Sequence, residues 1–407
     1  MIRQKPVIIL IILLLISPII SSINIKSSNN IKFSEESHTI CDVPYISQET
    51  SYYCAFASNT MVINYYNRNS SLKEVLHHSG VGYSSAYRRF LSPARLQISS
   101  NLLSQSSISS KFLAELYNLS FSFSISDNWE DYWSKVKQNI TNDIPIITSV
   151  NACIFPFYNN LGYNGTSGHA IVIVGFNKTH IIYNDPATTL YTCEEDGTYV
   201  KITIEIFKEA VKTTLGTKYL IFAFKNESYM TTTKEERFEK AHNRNIRLIK
   251  GEKKAYFGNI QNPSFYLGIN AIKTYRKDLQ MGVTHRFSTI LFYKLFISLN
   301  ANLSSTYKTI SLEKNNISQY LFKLSNSFND EKLSLLCKHD ASLLLHESNS
   351  WLNFSKIIAN LEVIIRNNNF LKVLFFSFPY TLKMKKVLNE IIEIENKIIC
   401  GVKSLSK

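Results

Sequence analysis

The pattern of apolar and polar residues divides the chain into a mixed first part and a helical second part. Between residues 54 and 224, segments with helical spacing are interspersed with short apolar runs of the strand type. The predicted helices are 54–65, 72–77, 92–103, 110–117, 129–139 and 206–213, and the predicted strands are 121–125, 145–151, 168–176, 179–187, 201–204 and 218–224. A leading helix followed by strands and further helices predicts an α+β fold over residues 39–225.

The second part is predicted to be all-α. After a polar junction at 226–233 and a less regular stretch at 251–282, glycine and proline become rare. The helical patterns cover 234–250, 285–299, 317–328, 331–346, 351–366 and 380–399. They predict a helical domain over 235–407, and this domain contains no grouping of residues that carries chemistry. Residues 370–378 are strongly apolar but too few to span a bilayer, which leaves a buried helix or a membrane-surface patch.

The first residues have the composition of an export signal. Arg3 and Lys5 precede an apolar run at 7–16, and small residues follow it. This order predicts a signal peptide over 1–22, with an uncleaved membrane anchor as the alternative. Residues 23–38 are polar and lack periodicity, so we expect a flexible lead. The protein is therefore expected to be exported, and to be secreted or anchored to the outer face of the cell membrane.

Composition adds limits on size and on partners. The chain has 407 residues, of which 45% are hydrophobic, enough to form the cores of two domains. The formal net charge of +14 favours association with anionic membrane or cell-surface groups. No run of five basic residues and no nucleic-acid-binding motif occurs, so we expect no nucleic-acid partner.

The six cysteines are too few for a disulfide scaffold. Cys153 and Cys193 flank the predicted hairpin at 168–187, and they are either bridged or buried separately as core residues. His38 and Cys41 have a spacing that zinc sites use, but no second pair of that kind accompanies them. We therefore expect neither a metal nor a cofactor.

Cys54 is the candidate nucleophile. It opens the first predicted helix, where unpaired backbone N–H groups and the positive end of the helix dipole favour the thiolate form. Gln48 lies six residues upstream, across a short polar loop. Its side-chain amide could donate a hydrogen bond to an oxyanion that forms beside the sulfur.

His169 and Asp185 are the candidate partners of this cysteine. His169 begins one apolar strand, and Asp185 follows the end of the next strand. The start of one strand of an antiparallel hairpin lies beside the end of the other, so the two residues are predicted neighbours. Asn184 competes for the place beside His169, because adjacent strand residues point to opposite faces. Cysteine, histidine and carboxylate together form the nucleophile, base and orienting group of thiol catalysis.

These residues resemble the pattern of a papain-like cysteine peptidase domain, of the type that processes bacteriocin leader peptides. The matching motifs are Val43-Pro44-Tyr45 with Gln48, then Cys54, Gly168-His169 and Asn184-Asp185-Pro186. The resemblance covers about residues 41–224 and implies a papain-like fold, with Cys54 on a helix and His169 and Asp185 on an antiparallel sheet. It implies hydrolysis of peptide bonds in a peptide or protein substrate through a thioester on Cys54.

A weaker resemblance joins the chain to the butirosin-biosynthesis acyltransferase family. It rests on residues 76–83 and 150–158, on the Gly-His strand and on the helical C-terminal part. That family implies transfer of an acyl group from a carrier to an amine, through the same kind of thioester. A third hypothesis is a binding module that keeps the fold without activity, and the presence of Gln48, Cys54, His169 and Asp185 together argues against it.

Overall fold

The computed structural model describes much of the chain from residue 36 onwards. The described residues are 36–87, 96, 99–104, 107–192, 197–214, 218–226, 231–257, 266–284, 303–367 and 370–405. The predicted signal segment 1–22, most of the predicted lead, the predicted helix 285–299 and Cys193 lie outside these residues. The predictions made for them, including a Cys153–Cys193 bridge, stay predictions.

An antiparallel sheet forms the centre of the first part. Its strand order is β3-β8-β4-β5-β6-β7, and β1 also pairs with β5. The strands are β1 (His38–Thr39), β3 (Leu119–Ile125), β4 (Ile146–Asn151), β5 (Gly168–Phe176), β6 (His180–Asn184), β7 (Val200–Thr203) and β8 (Leu220–Asn226), whereas the short strands β2 (Ala86–Tyr87) and β9 (Tyr266–Leu267) pair with each other apart from this sheet. The predicted hairpin is confirmed, since β5 and β6 pair with Val172 opposite Asn184.

Helices cover this sheet because its central strand is apolar on both faces. Ile171 to Val174 of β5 are fully buried. Helices α1 (Cys54–Tyr65) and α5 (Trp129–Thr141) pack on β5, and α8 (Ile204–Lys212) packs on β4. The remaining helices of this part are α2 (Leu72–Ser79), α3 (Ser99–Ser104), α4 (Ser107–Leu116), α6 (Pro156–Asn160) and α7 (Thr188–Tyr191). The predicted α+β class is confirmed.

Long helices dominate the second part, as predicted, but several boundaries differ, since the predicted helices 317–328 and 380–399 begin at Leu303 and Phe370. The described helices of this part are α9 (Lys234–Lys250), α10 (Lys253–Phe257), α11 (Ile269–Thr284), α12 (Leu303–Ser325), α13 (Glu331–Asn367) and α14 (Phe370–Leu405). The predicted helices 331–346 and 351–366 are one helix, because the polar residues between them contain no glycine or proline and Ser348 donates a hydrogen bond to the Ser311 carbonyl at 2.8 Å. The stretch 251–282, predicted to be irregular, contains α11.

The second part packs directly on the first through α9 and α2. Arg244 of α9 donates to the Ser79 carbonyl at 2.8 Å, and the Asn245 amide donates to the His77 carbonyl at 3.0 Å. Both carbonyl groups lie at the C-terminal end of α2, and the His77 carbonyl also accepts from the Gly80 amide at 3.0 Å. Phe238 of α9 also belongs to the hydrophobic core that contains the sheet residues. The division into domains 39–225 and 235–407 stays a prediction.

The apolar segment 370–378 lies within α14, which continues through Pro379. In the part of the chain that the structure describes, no helix combines the length and the apolar character that crossing a membrane requires.

Candidate active site

Cys54 is the first residue of α1. The preceding residue, Tyr53, makes no side-chain cap to the helix, so the amide groups of the first turn have no side-chain acceptor there. Burial raises the pKa of the Cys54 thiol, but a hydrogen bond to His169 and the charge of the imidazolium lower it, with help from the Ala170 and Ala55 amides. The net result is a pKa below the usual 9.0. Cys54 is a free, half-buried thiol.

His169 lies between this thiol and a carboxylate. Its Nε2 atom is 2.7 Å from Oδ1 of Asp185, so Nδ1 is the ring nitrogen left to face Cys54. Burial lowers the pKa of His169, but the charge and the hydrogen bond of Asp185 raise it, with a smaller contribution from Cys54, to about 10. The opposite pKa shifts of the cysteine and the histidine favour a thiolate–imidazolium pair.

The side chain beside His169 belongs to Asp185, and neither Asn184 nor Asn151 takes that place. The Asn184 side chain points away, donating to the Val43 carbonyl at 3.3 Å and accepting from the Tyr199 amide at 2.8 Å. Asn151 accepts from the Cys153 and Ser167 amides at 3.2 and 2.9 Å. Each asparagine therefore holds a loop in place and leaves the imidazole to Asp185.

The backbone of Asp185 is held on both sides. Its amide donates to the Gly197 carbonyl at 2.8 Å, and its own carbonyl accepts from the Tyr45 hydroxyl at 3.0 Å. The Ala187 amide donates to Oδ1 of the side chain at 2.9 Å. A carboxylate fixed in this way keeps one orientation relative to the His169 ring.

Gln48 lies in the same region of the chain. Its backbone amide donates to the carbonyl of Pro186, the residue after Asp185, at 2.8 Å. The side chain is buried, and its Oε1 atom has no hydrogen-bond partner. Donation to an oxyanion would come from the Nε2 group of this side chain, because Oε1 is an acceptor.

Tyr158 is a residue of this site that the sequence analysis did not single out. Its hydroxyl group lies 2.9 Å from both carboxylate oxygens of Asp185 and 3.2 Å from Nε2 of His169. The residue is on α6, within a stretch whose Asn, Gly and Tyr content predicts a loop over 157–166. The nearby Phe155-Pro156 pair, with proline in the first helical turn, was the available signal for α6.

Exposed aromatic side chains lie in the loops that precede Cys54 and His169. Tyr52 is 40% exposed and Tyr163 is 37% exposed, and the Tyr163 ring lies 5.7 Å from that of Tyr191. These residues come from the loop before Cys54, the loop before His169 and helix α7. Among the described residues, no group of three or more His, Cys, Asp or Glu side chains is arranged to hold a metal ion.

Comparisons with known proteins found a family model and a solved structure that are similar to this chain. Residues 40–214 match the model of the Peptidase_C39 like family. Among solved structures, a protein described as a C39-like peptidase from Bacillus anthracis matches at 13% identity with a TM-score of 0.32, over 48% of this chain and 100% of its own. No curated protein matches the chain. The family match covers less than half of the chain, and the matched residues 40–214, which resemble a papain-like cysteine peptidase domain, include Gln48, Cys54, His169 and Asp185.

Proposed function

We propose that this protein is a thiol-dependent peptidase that cleaves peptide bonds through a thioester on Cys54. The observation that supports this proposal best is the hydrogen-bonded series of Cys54, His169 and Asp185. It joins a thiol of lowered pKa at a helix N-terminus to an imidazole of raised pKa that a fixed carboxylate orients.

The first half of the reaction uses the thiolate and the imidazolium. The Cys54 sulfur attacks the carbonyl carbon of the scissile bond, and the electron pair of the C=O bond moves to oxygen. The Cys54 amide and the Gln48 side chain donate hydrogen bonds to this oxyanion. As the tetrahedral intermediate collapses, the C–N bond breaks and His169 gives its proton to the leaving amine, which leaves an acyl thioester.

The second half consumes one water molecule. Neutral His169 takes a proton from water, the hydroxide oxygen attacks the thioester carbonyl, and the C–S bond breaks. The products are a carboxylic acid and the Cys54 thiolate, with the proton held on His169. Asp185 accepts the Nε2–H hydrogen bond throughout and keeps it in place.

Water is the proposed acceptor because aromatic side chains near the site are exposed to solvent. Tyr52 and Tyr163 remain exposed although the second part of the chain packs against the first. The second part contacts α2 through α9 and α12, and it also contacts α3, α4 and β2. The exposed tyrosines favour water over an amine as the proposed acceptor.

The test compares the full chain with two cysteine variants on a fluorogenic peptide library. Cys54→Ala should abolish cleavage, whereas Cys41→Ala, which removes an exposed free thiol, should leave it unchanged. Cleavage that survives in Cys54→Ala would refute the proposal. A second measurement forms the acyl-enzyme with an activated thioester and follows its decay. Decay that is negligible in water but fast with one class of amine would favour the acyltransferase alternative.

A further inference from the structure

We propose that Tyr158 is a positioning residue that holds the Asp185 carboxylate in the orientation that pairs with His169. The proposal rests on the function proposed above and extends it to a residue outside the Cys–His–Asp set.

The contacts of Tyr158 single out the carboxylate as the group on which it acts. Its hydroxyl is 2.9 Å from Oδ1 and 2.9 Å from Oδ2, so one O–H group is shared between both oxygens. The hydroxyl oxygen is also 3.2 Å from Nε2 of His169, the atom that Asp185 binds. A phenol placed in this way blocks rotation of the carboxylate away from the ring.

The contact between Tyr158 and Asp185 is buried away from solvent. Tyr158 is 3% exposed, Asp185 is 2% exposed and His169 is 8% exposed. Burial raises the pKa of the Tyr158 phenol, and the Asp185 charge raises it further, so the hydroxyl keeps its proton. Tyr158 is therefore a permanent donor, and hydrogen bonds to a buried charged group are worth more than those between neutral groups.

Two other ionisable side chains near Asp185 act differently. Tyr45, in the loop before Cys54, binds the Asp185 backbone carbonyl. Burial raises the pKa of Tyr191 of α7, with a smaller contribution from the Asp185 charge, and no hydrogen bond joins the two among the described contacts. Of the three tyrosines, Tyr158 alone has a described bond to the carboxylate oxygens, so its hydroxyl is the one to remove.

The test measures the rate of Cys54 alkylation by iodoacetamide in the full-length protein, as a function of pH. This readout follows the thiolate and needs no peptide substrate. We expect Tyr158→Phe to slow alkylation at about pH 6 by about tenfold and to raise the acid-side midpoint by about one pH unit, because a freed carboxylate stabilises the imidazolium less. Tyr132→Phe is the matched control. It removes a buried hydroxyl that binds Thr148 at 2.9 Å, and it should leave both quantities unchanged.

A double-variant cycle separates positioning from simple packing. In an Asp185→Ala background the Tyr158 hydroxyl has no carboxylate to hold, so adding Tyr158→Phe should change alkylation by less than about twofold. The inference would be overturned if Tyr158→Phe slowed alkylation equally in the wild-type and Asp185→Ala proteins. It would also be overturned if the acid-side midpoint of Tyr158→Phe alone were unchanged or lower. If wild-type Cys54 is no more reactive at about pH 6 than a free thiol, the proposed nucleophile itself is wrong.

Discussion

The ammonium group of Lys314 should be among the most costly to remove from this protein. Lys314 is on α12 and only 4% exposed. Its Nζ lies 2.7 Å from Oε1 of Glu347 on α13 and 4.0 Å from Oε1 of Glu395 on α14, and it donates to the Gly82 carbonyl at 2.7 Å. One buried cation therefore joins three helices of the second part to the loop that follows α2.

Replacing Lys314 by methionine keeps most of the side-chain volume and removes the charge. Burial and the nearby Glu347 carboxylate raise the pKa of Glu395 well above its usual range. The variant leaves the fully buried Glu347 carboxylate without its cation and the Gly82 carbonyl without this donor. Removing one partner of a buried ion pair costs about 3–5 kcal/mol, and we expect the free energy of unfolding to fall by about 4 kcal/mol.

Urea unfolding followed by tryptophan fluorescence measures this loss. Trp351 donates to the same Glu347 carboxylate at 3.1 Å and reports on the second part of the chain. Lys111→Met is the control, since Lys111 is exposed and lies 4.0 Å from Glu115, and it should cost less than about 0.5 kcal/mol. Adding Glu347→Gln to Lys314→Met should restore at least half of the loss. A loss below about 1 kcal/mol for Lys314→Met, or no recovery in the double variant, would refute the reasoning.

Two further predictions concern Gly197, which lies against Asp185, and the helix cap at Thr233. Gly197→Ala places a Cβ 2.4 Å from the Asp185 carbonyl oxygen at a φ of +66°, so it should lower the free energy of unfolding by at least about 2 kcal/mol and remove most of the peptidase activity. Gly162→Ala is the control, because Gly162 also has a positive φ but nothing lies within 4 Å of the added Cβ. It should lower the free energy of unfolding by about 1 kcal/mol and leave activity unchanged. Thr233→Ala removes the capping box that Thr233 forms with Glu236 at the start of α9 and should cost about 1 kcal/mol in urea unfolding, whereas Thr233→Ser should cost little.

The local structure around the candidate site follows from short-range signals. The alternating and continuous apolar runs predict β5 and β6, and the hairpin that joins them brings His169 near Asp185. The boundary of α1 at Cys54 follows from the polar loop before it and the uninterrupted helical spacing after it. These features depend on neighbours within a few residues, which is why sequence pattern predicts them.

The choice of Asp185 over Asn184 depends on where the strand ends. β6 ends at Asn184, opposite Val172, and a register shift between Ile173 and Gly175 alters the pairing. The chain leaves the sheet at Asp185, so strict alternation no longer fixes its direction. Tyr158 is harder still to predict, because its contact with Asp185 needs the placement of α6 against a strand end 27 residues away.

The pH dependence of activity should be set by the pair of Cys54 and His169. A histidine whose pKa rises from 6.5 to about 10 on folding is stabilised in its charged form by roughly 5 kcal/mol, and this contribution is complete below pH 6.5 and lost as the pH rises through about 10. The contribution of the Cys54 thiol to stability depends on pH in the opposite direction. Its pKa falls below 9.0, so the thiolate contribution is complete above that value and lost as the pH falls through the lower, folded pKa.

The ion pair, and with it peptide turnover, should therefore persist up to an alkaline limit near pH 10, where His169 can no longer protonate the leaving amine. Asp185→Asn removes the main cause that raises the pKa of His169 and leaves burial, which lowers it. The alkaline limit of turnover should then move down by at least about two pH units, and alkylation of Cys54 at about pH 6 should slow by more than about tenfold. Turnover reports the proton donor and alkylation reports the thiolate, so the two assays follow the two partners separately. An alkaline limit that stays near pH 10 in Asp185→Asn would show that another group holds the imidazolium.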